Sequence, residues 1–465
     1  MHLVNLTTAG LKRFVGLSFA FFIYSIAIAQ ENSPYSRYGL GDVVPNQNII
    51  NRGMGGVAAG YSDQRTDDAL KLPKPGLSIN FKNPASLGSL TSTKSFSNTL
   101  FDIGGEVDIK TLKSTNTTDK YRATNTLISY LQIAFPIATR KMERKGINWG
   151  LSFGLRPITR ISYKIEQNER LAGIDSLNTL YEGSGGLNQV NVSTGFKIKN
   201  FSIGVSSGYS FGNKDYSTQK VFVNDTVAYY KSNLQTQASY GGVFLNTGIQ
   251  YMIPIKKLGF FKLGAYLNLQ QNLKATEDLV NETFVFDGSG GIVGVDTITS
   301  TVGNKGTVKL PATLGVGFTY QDQGNNWLLG ADFEMTNWSK YKYYDKVESV
   351  DDSWTIRLGA EYYPAKASTA SNKYWRFVKY RAGVYFGPDY IKIDKTRNNY
   401  AATLGASFPL TSFRFLRSGD FVQLNTAIEA GGRGNKQSIS FRETNLRFNI
   451  GISMNAYWFQ KRSYQ

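Results

Sequence analysis

The 465-residue chain contains no cysteine, and its one histidine is His2. Without cysteine there is no disulfide framework and no thiol for N-terminal lipid attachment. If the segment holding His2 is removed on export, the remaining chain also lacks imidazole. That excludes a Ser-His-Asp triad, a cysteine nucleophile and histidine-bound zinc. A Ser-Lys dyad, a carboxylate pair or an Asp/Glu metal site stays open in principle, yet the sequence is read as that of a non-enzyme, with no catalytic residue, no metal and no cofactor. Acidic residues are also scarce: 34 against 52 Lys and Arg, a formal charge of +18. Beyond the first thirty residues no apolar run approaches the ~20 residues of a spanning helix.

The N-terminus has the order of an export signal. Lys12 and Arg13 precede the run "FVGLSFAFFIYSIAIA", and Ala27-Ile28-Ala29 fits small-x-small cleavage. Residues 1–29 are therefore expected to be a signal peptide, and losing Lys12 and Arg13 takes +18 to +16. Exported proteins rarely meet nucleic acid, so no nucleic-acid partner is expected. The basic excess suits an anionic membrane surface, lipopolysaccharide or an acidic ligand.

What the chain does have is a period of two. In "LRFNIGISMNAYW", Leu446, Phe448, Ile450, Ile452, Met454, Ala456 and Trp458 alternate with Arg447, Asn449, Gly451, Ser453 and Asn455. "WLLGADFEMTN" and "WTIRLGAEY" behave alike, which marks strands and not helices. About fourteen such runs begin near Phe96, Asn125, Asn148, Leu187, Phe201, Ser239, Phe261, Val308, Asn326, Trp354, Val378, Ala401, Phe421 and Leu446. Each apolar stretch covers about 9–11 residues, the length of a tilted strand crossing a bilayer.

The junctions alternate too. Pro136, Pro254, Pro364 and Pro409 close strands at one set of ends, where "KIKNF" and "DQGNN" are also short. The opposite junctions read as long polar loops, among them "EQNERLAGIDSLNTLYEGSGG" and "TEDLVNETFVFDGSGGIVGVDTITSTVGNKG". Short turns on one rim and long loops on the other predict an all-β, up-and-down transmembrane barrel of about fourteen antiparallel strands. In hydrocarbon such a sheet must close on itself. Trp149, Trp327, Trp354 and Trp458 near run ends are expected to form interfacial girdles.

A lumen that wide needs filling. The expected organisation is a hatch over 30–93 inside a barrel over 94–465. The hatch contains "SPYSRYGLGDV", where Tyr35, Tyr38 and Arg37 would grip the wall and Gly39 and Gly41 would let the chain turn. It also contains "NRGMGGVAAGYSD" with Arg52, Gly53, Gly55 and Gly56, and "INFKNPASLGSL" with Asn83, Pro84 and Ala85. These two stretches, just before the first strand, resemble the hatch of the FadL-type long-chain fatty-acid and hydrocarbon transporters. "KLPATLGVGFTY…NWSKYK", with Leu310-Pro311 and Trp338-Ser339, resembles that family's later strands. The insert "QRTDDALKLPKPGLS" departs from the pattern.

The resemblance implies passive uptake across a Gram-negative outer membrane: capture outside, a pocket against the hatch, and sideways release through a gap in the wall. A hydrophobic small-molecule ligand, outer-membrane lipid and lipopolysaccharide are the implied partners of a monomeric barrel. Arg52 is a candidate for a ligand's carboxylate; the plainer role is an ion pair with Asp332, Glu334 or Glu361. The alternative function is a non-transporting barrel, a structural or cargo-binding subunit of a secretion or surface-assembly complex with a protein partner.

Overall fold

Alternation with the polar face turned inward is what an isolated strand cannot satisfy in lipid, and here it drives closure. The computed structural model describes residues 33–456 except 64, 68–71, 75–77, 91–98, 114–119, 171–175, 224–228, 290, 366–373, 393–396, 411–420 and 435–441. The expected signal peptide, the strand start near Phe96 and the girdle residue Trp458 lie outside the described residues.

The wall is a closed antiparallel barrel of fourteen strands: β1 (Thr99–Lys113), β2 (Lys120–Pro136), β3 (Ile147–Arg170), β4 (Ser176–Ile198), β5 (Phe201–Phe222), β6 (Lys231–Ile255), β7 (Gly259–Asn268 continuing as Gln271–Phe286), β8 (Ile292–Leu310 continuing as Thr313–Asp322), β9 (Trp327–Thr336), β10 (Ser353–Tyr362), β11 (Lys379–Pro388), β12 (Asn398–Pro409), β13 (Phe421–Gly434) and β14 (Arg442–Ala456). Closure is made by β14 on β1, from Ala456 opposite Thr99 to Arg442 opposite Lys113. The up-and-down order expected from the sequence is the observed one. No helix among the described residues is long and apolar enough to span a membrane.

Side chains sort by face as the pattern requires. Phe153, Val192, Ile203, Val243, Leu358, Leu404 and Ile450 point outward and are exposed, while Asp102, Gln132, Asn191, Gln250, Asn425, Glu429 and Asn449 are buried inside. Trp149 stacks on Phe196 at 4.8 Å and Trp327 packs at a tilt against Tyr362 at 4.6 Å, near the short-turn rim. Trp354 packs near Phe386 toward the other rim.

One expectation needs correction. Most of the two stretches read as long loops continues the strands: Glu166–Arg170 and Ser176–Gly186 extend β3 and β4, and Thr276–Phe286 with Ile292–Gly306 forms the arm of β7 and β8. Above the membrane both faces of these strands meet water, so period-two patterning fades while the ladder persists.

Residues 33–63 and 78–90 lie inside the wall and are largely buried. The hatch runs from a short 3-10 turn (Pro34–Arg37) through the two-residue strand Asp42–Val43 and a single helical turn (Ile49–Arg52). After a small hairpin of Arg65–Asp67 with Leu72–Lys74 it ends in a 3-10 turn (Pro84–Ser89). Asn48 caps the helical turn by accepting from the Asn51 N–H at 2.8 Å.

Backbone-to-backbone contact with the wall depends on glycine on both sides. A Cβ at Gly264 of β7 would lie 1.9 Å from the Ala59 carbonyl oxygen, and one at Gly383 of β11 would lie 2.2 Å from the Gly55 nitrogen. Gly55 itself has φ +67, a conformation L side chains avoid.

Candidate functional site

The site has two parts, a latch between hatch and wall and a cavity beside a break in the wall. The latch is largely ionic. Arg52, buried at the end of the helical turn, donates through Nε to Glu429 Oε1 at 2.5 Å and pairs through Nη1 with Glu106. Burial alone would lower its pKa, but Glu429 and Glu106 raise it, so the guanidinium stays charged. The expectation of a lumen ion pair holds in kind, with other partners: β13 and β1 supply the carboxylates. These pairs engage Nε and Nη1, while Nη2 finds no partner among the described residues.

The other sites predicted from sequence converge on docking. Gly53 packs against Gly405, and a Cβ at Gly56 (φ +86) would lie 3.0 Å from Arg357. The Gly55 N–H donates to Thr403 Oγ1 at 2.9 Å. Asn83 donates from Nδ2 to the carbonyls of Ala59, Ile249 and Ala265 and accepts from the Ala85 N–H at 3.1 Å. Pro84 follows as the first residue of the turn, where a missing N–H costs nothing. Ala85 is fully buried. Asp332, expected near Arg52, instead accepts the Ala58 and Ala59 N–H groups at 2.6 and 2.8 Å. Glu334 pairs with Lys82 at 2.5 Å and Arg357 at 2.9 Å, and Glu361 with Arg381.

Higher in the lumen, Asp42 pairs with Lys110 at 3.1 Å and Arg433 at 2.7 Å and accepts from Ser33 Oγ at 2.6 Å. Burial would raise its pKa, but Lys110, Arg433 and Ser33 hold it well below the carboxylate range. The opening stretch does anchor as anticipated. Tyr35 lies under Arg397 at 3.5 Å, and Arg37 sits over Tyr181 at 4.8 Å. Gly39 and Gly41 have φ +63 and +99.

The break lies between β2 and β3. Their pairing runs only from Pro136 opposite Gly150 to Leu131 opposite Leu155. Above it, the only wall neighbour of β2 is β1 and the only wall neighbour of β3 is β4 among the described residues. Pro157, which has no N–H to donate, sits where the edge begins, next to a bulge at Pro157/Thr159. The hatch covers this edge from inside. Asp42 and Val43 pair with Arg160 and Thr159, and the Val44 N–H donates to the Ile158 carbonyl at 2.9 Å. Gly41 is required there, since a Cβ would fall 2.3 Å from the Arg160 carbonyl oxygen.

A cavity of about 300 Å³ opens behind the break. Seven cations and five carboxylates line it, together with apolar groups such as Ile158, Leu187 and Trp338. Arg156, at the foot of the break, is 2% exposed. It donates through Nη2 to Gln189 at 3.1 Å and lies over the Phe81 ring at 5.1 Å. Its Nε and Nη1 find no partner among the described residues. Sequence reasoning missed Arg156; only Pro157, placed mid-strand, signalled the irregularity.

A family model described as BamG matches residues 11–465. This chain belongs to the BamG family. No match was found among curated proteins. Solved structures similar to this BamG-family chain include a Pseudomonas aeruginosa FadL homologue, at 14% identity over 89% of this chain and 99% of that one, with a TM-score of 0.53. The Pseudomonas putida toluene transporter TodX gives 14% identity over 90% and 100% with TM-score 0.53. The Ralstonia pickettii toluene transporter TbuX gives 14% over 89% and 99% with TM-score 0.51. At such identity the likeness establishes the fold alone: this BamG-family chain has a FadL-like barrel fold.

Proposed function

We propose that the chain is a passive outer-membrane channel for hydrophobic compounds, long-chain fatty acids among them, exported with cleavage after Ala29. The observation that carries the reading is the break in wall pairing between β2 and β3, directly beside the lumen cavity. An alkyl chain leaving sideways there goes from cavity to bilayer without crossing water, and each CH₂ kept dry saves about 0.8 kcal/mol. The charged lining suits an amphipathic ligand better than a bare hydrocarbon. Arg156, with two unpartnered nitrogens, is placed to hold an anionic head while the tail points to the break. Release requires the Asp42–Val43 strand to leave the β3 edge.

The absence of native cysteine makes the test clean. Val43→Cys with Thr159→Cys joins two residues that face each other across the antiparallel pair. Purified protein is expected to bind a fluorescent fatty acid saturably, and proteoliposomes to pass it into the bilayer. Oxidation of the pair is expected to stop that transfer, and reduction to restore it. Equal transfer in both states overturns the sideways route. No saturable binding in any variant overturns transport altogether.

One observation favours a second reading, a non-transporting structural or cargo-binding subunit of a surface-assembly complex. The hatch is tied to the wall by ion pairs of Asp42, Arg52, Asp63 and Lys82 at successive levels of the lumen. That reading predicts no ligand binding even when the Asp42–Val43 strand is freed.

A further inference from the structure

Exposed cations lie on both rims. On the rim of extended strands some are matched, Lys164 with Glu182 at 2.5 Å, Lys309 with Asp345 at 2.9 Å and Lys392 with Asp351 at 2.7 Å, while Lys120, Lys220, Lys274 and Lys305 are exposed without a carboxylate among the described residues. On the rim of short turns they gather at consecutive turn tips. Three neighbouring turns, β2 to β3, β4 to β5 and β6 to β7, expose Lys141, Arg144, Lys145, Lys199, Lys256 and Lys257. None of these six pairs with a carboxylate among the described residues. The first two turns touch, with the Lys199 N–H donating to the Gly146 carbonyl at 2.8 Å. The β8-to-β9 turn, Gln323 to Asn326, carries no charge at all. The cations of these three neighbouring turns therefore form an arc along the barrel foot.

Two of them sit where a lysine is conformationally expensive. Lys199 and Lys257 have φ 53° and 65°, in tight turns that glycine or asparagine would fill with less strain. Charge is being held at these turn tips against local preference. Immediately beyond them the wall turns apolar and outward, with exposed Phe196, Ile198, Phe201, Tyr251, Ile253 and Leu258. Cations at the foot of an apolar, aromatic-rich belt lie at headgroup depth.

We propose that this arc binds anionic phospholipid headgroups of the periplasmic leaflet. The proposal depends on the barrel's orientation, short turns toward the periplasm, and not on whether a ligand is transported. An acidic protein would find the same charge. The position of the arc, level with the belt and continuous with lipid-facing side chains, favours lipid.

The test uses the full chain in detergent, with phosphatidylglycerol or phosphatidylcholine added and retained lipid read by native mass spectrometry. The wild type is expected to retain phosphatidylglycerol severalfold over phosphatidylcholine, with the preference falling as salt rises. The variant Lys199→Asn with Lys257→Asn relaxes the turn backbones while removing charge. It is expected to keep the heat-dependent gel shift of a folded barrel yet lose most of the preference. Adding Lys256→Gln and Arg144→Gln should abolish it. Equal retention of both lipids by the wild type overturns the proposal, as does an unchanged preference in the quadruple variant. Poly-glutamate binding to the arc that phosphatidylglycerol fails to displace also overturns it, in favour of a protein.

Discussion

At the scale of the residue, Arg52 shows why a buried charge is better judged by its partners than by its place in a motif. Its guanidinium, fully buried, is matched by two equally buried carboxylates. Removing one member of such a group leaves the others uncompensated, which costs about 3–5 kcal/mol. Arg52→Ala is therefore expected to undock the hatch, seen as increased single-channel conductance in planar bilayers. Combining Arg52→Met with Glu106→Gln and Glu429→Gln should restore much of the docking. Asp42 adds a pH dependence. Its carboxyl is depressed in the folded state, so its contribution is fully present above the ordinary value near 4 and is lost as pH falls below it. Conductance should stay flat from pH 8 to about pH 5 and rise below about pH 4, with the onset removed in Asp42→Asn. The arginine was visible in the sequence; its partners were not. Glu106 and Glu429 lie on β1 and β13, which come together only through barrel closure, and no local pattern announces that.

At the scale of the element, strands were legible wherever one face meets lipid and the other the lumen. That is why Trp327–Thr336 and Ser353–Tyr362 match their apolar runs closely. The alternation vanishes where both faces are wet, and there Thr276–Gly306 read as loop although it is hairpin. The gap between β2 and β3 was invisible for a different reason, because pairing partners are nonlocal and β2 keeps good alternation beside an unpaired edge. Among the hatch elements, the Asp42–Val43 strand depends on Gly41, whose φ of +99 and closeness to Arg160 exclude a side chain. Gly41→Ala is expected to detach that strand while leaving the barrel closed. Its signature would be faster hydrogen exchange at Ile158–Ser162 with an unchanged gel shift.

For the whole molecule, hatch and wall are held by different kinds of interaction, and they should part under different conditions. The wall is a closed ladder, interrupted above the short β2–β3 pairing, in which most strands are paired on both sides over most of their length, set in lipid that offers the backbone no alternative partner. The hatch owes its place to ion pairs, to hydrogen bonds onto side chains such as Asp332 and Gln250, and to glycine-lined contacts, in a lumen that water can reach once the fit loosens. Urea competes well with such polar contacts but poorly with a membrane-embedded sheet. A buried reporter separates the two events. Ser86 is 7% exposed, and Ser86→Cys is close to isosteric in a chain without other thiols. Its reaction with a membrane-impermeant maleimide in proteoliposomes opened to both sides should begin at moderate urea, while the barrel still migrates as folded on an unheated gel. Arg52→Ala should move the labelling midpoint to lower urea and leave the gel transition in place. If labelling and gel shift move together in both proteins, hatch and wall form a single cooperative unit. The lumen then cannot open without the barrel unfolding, and lateral release through the β2–β3 break is ruled out with it.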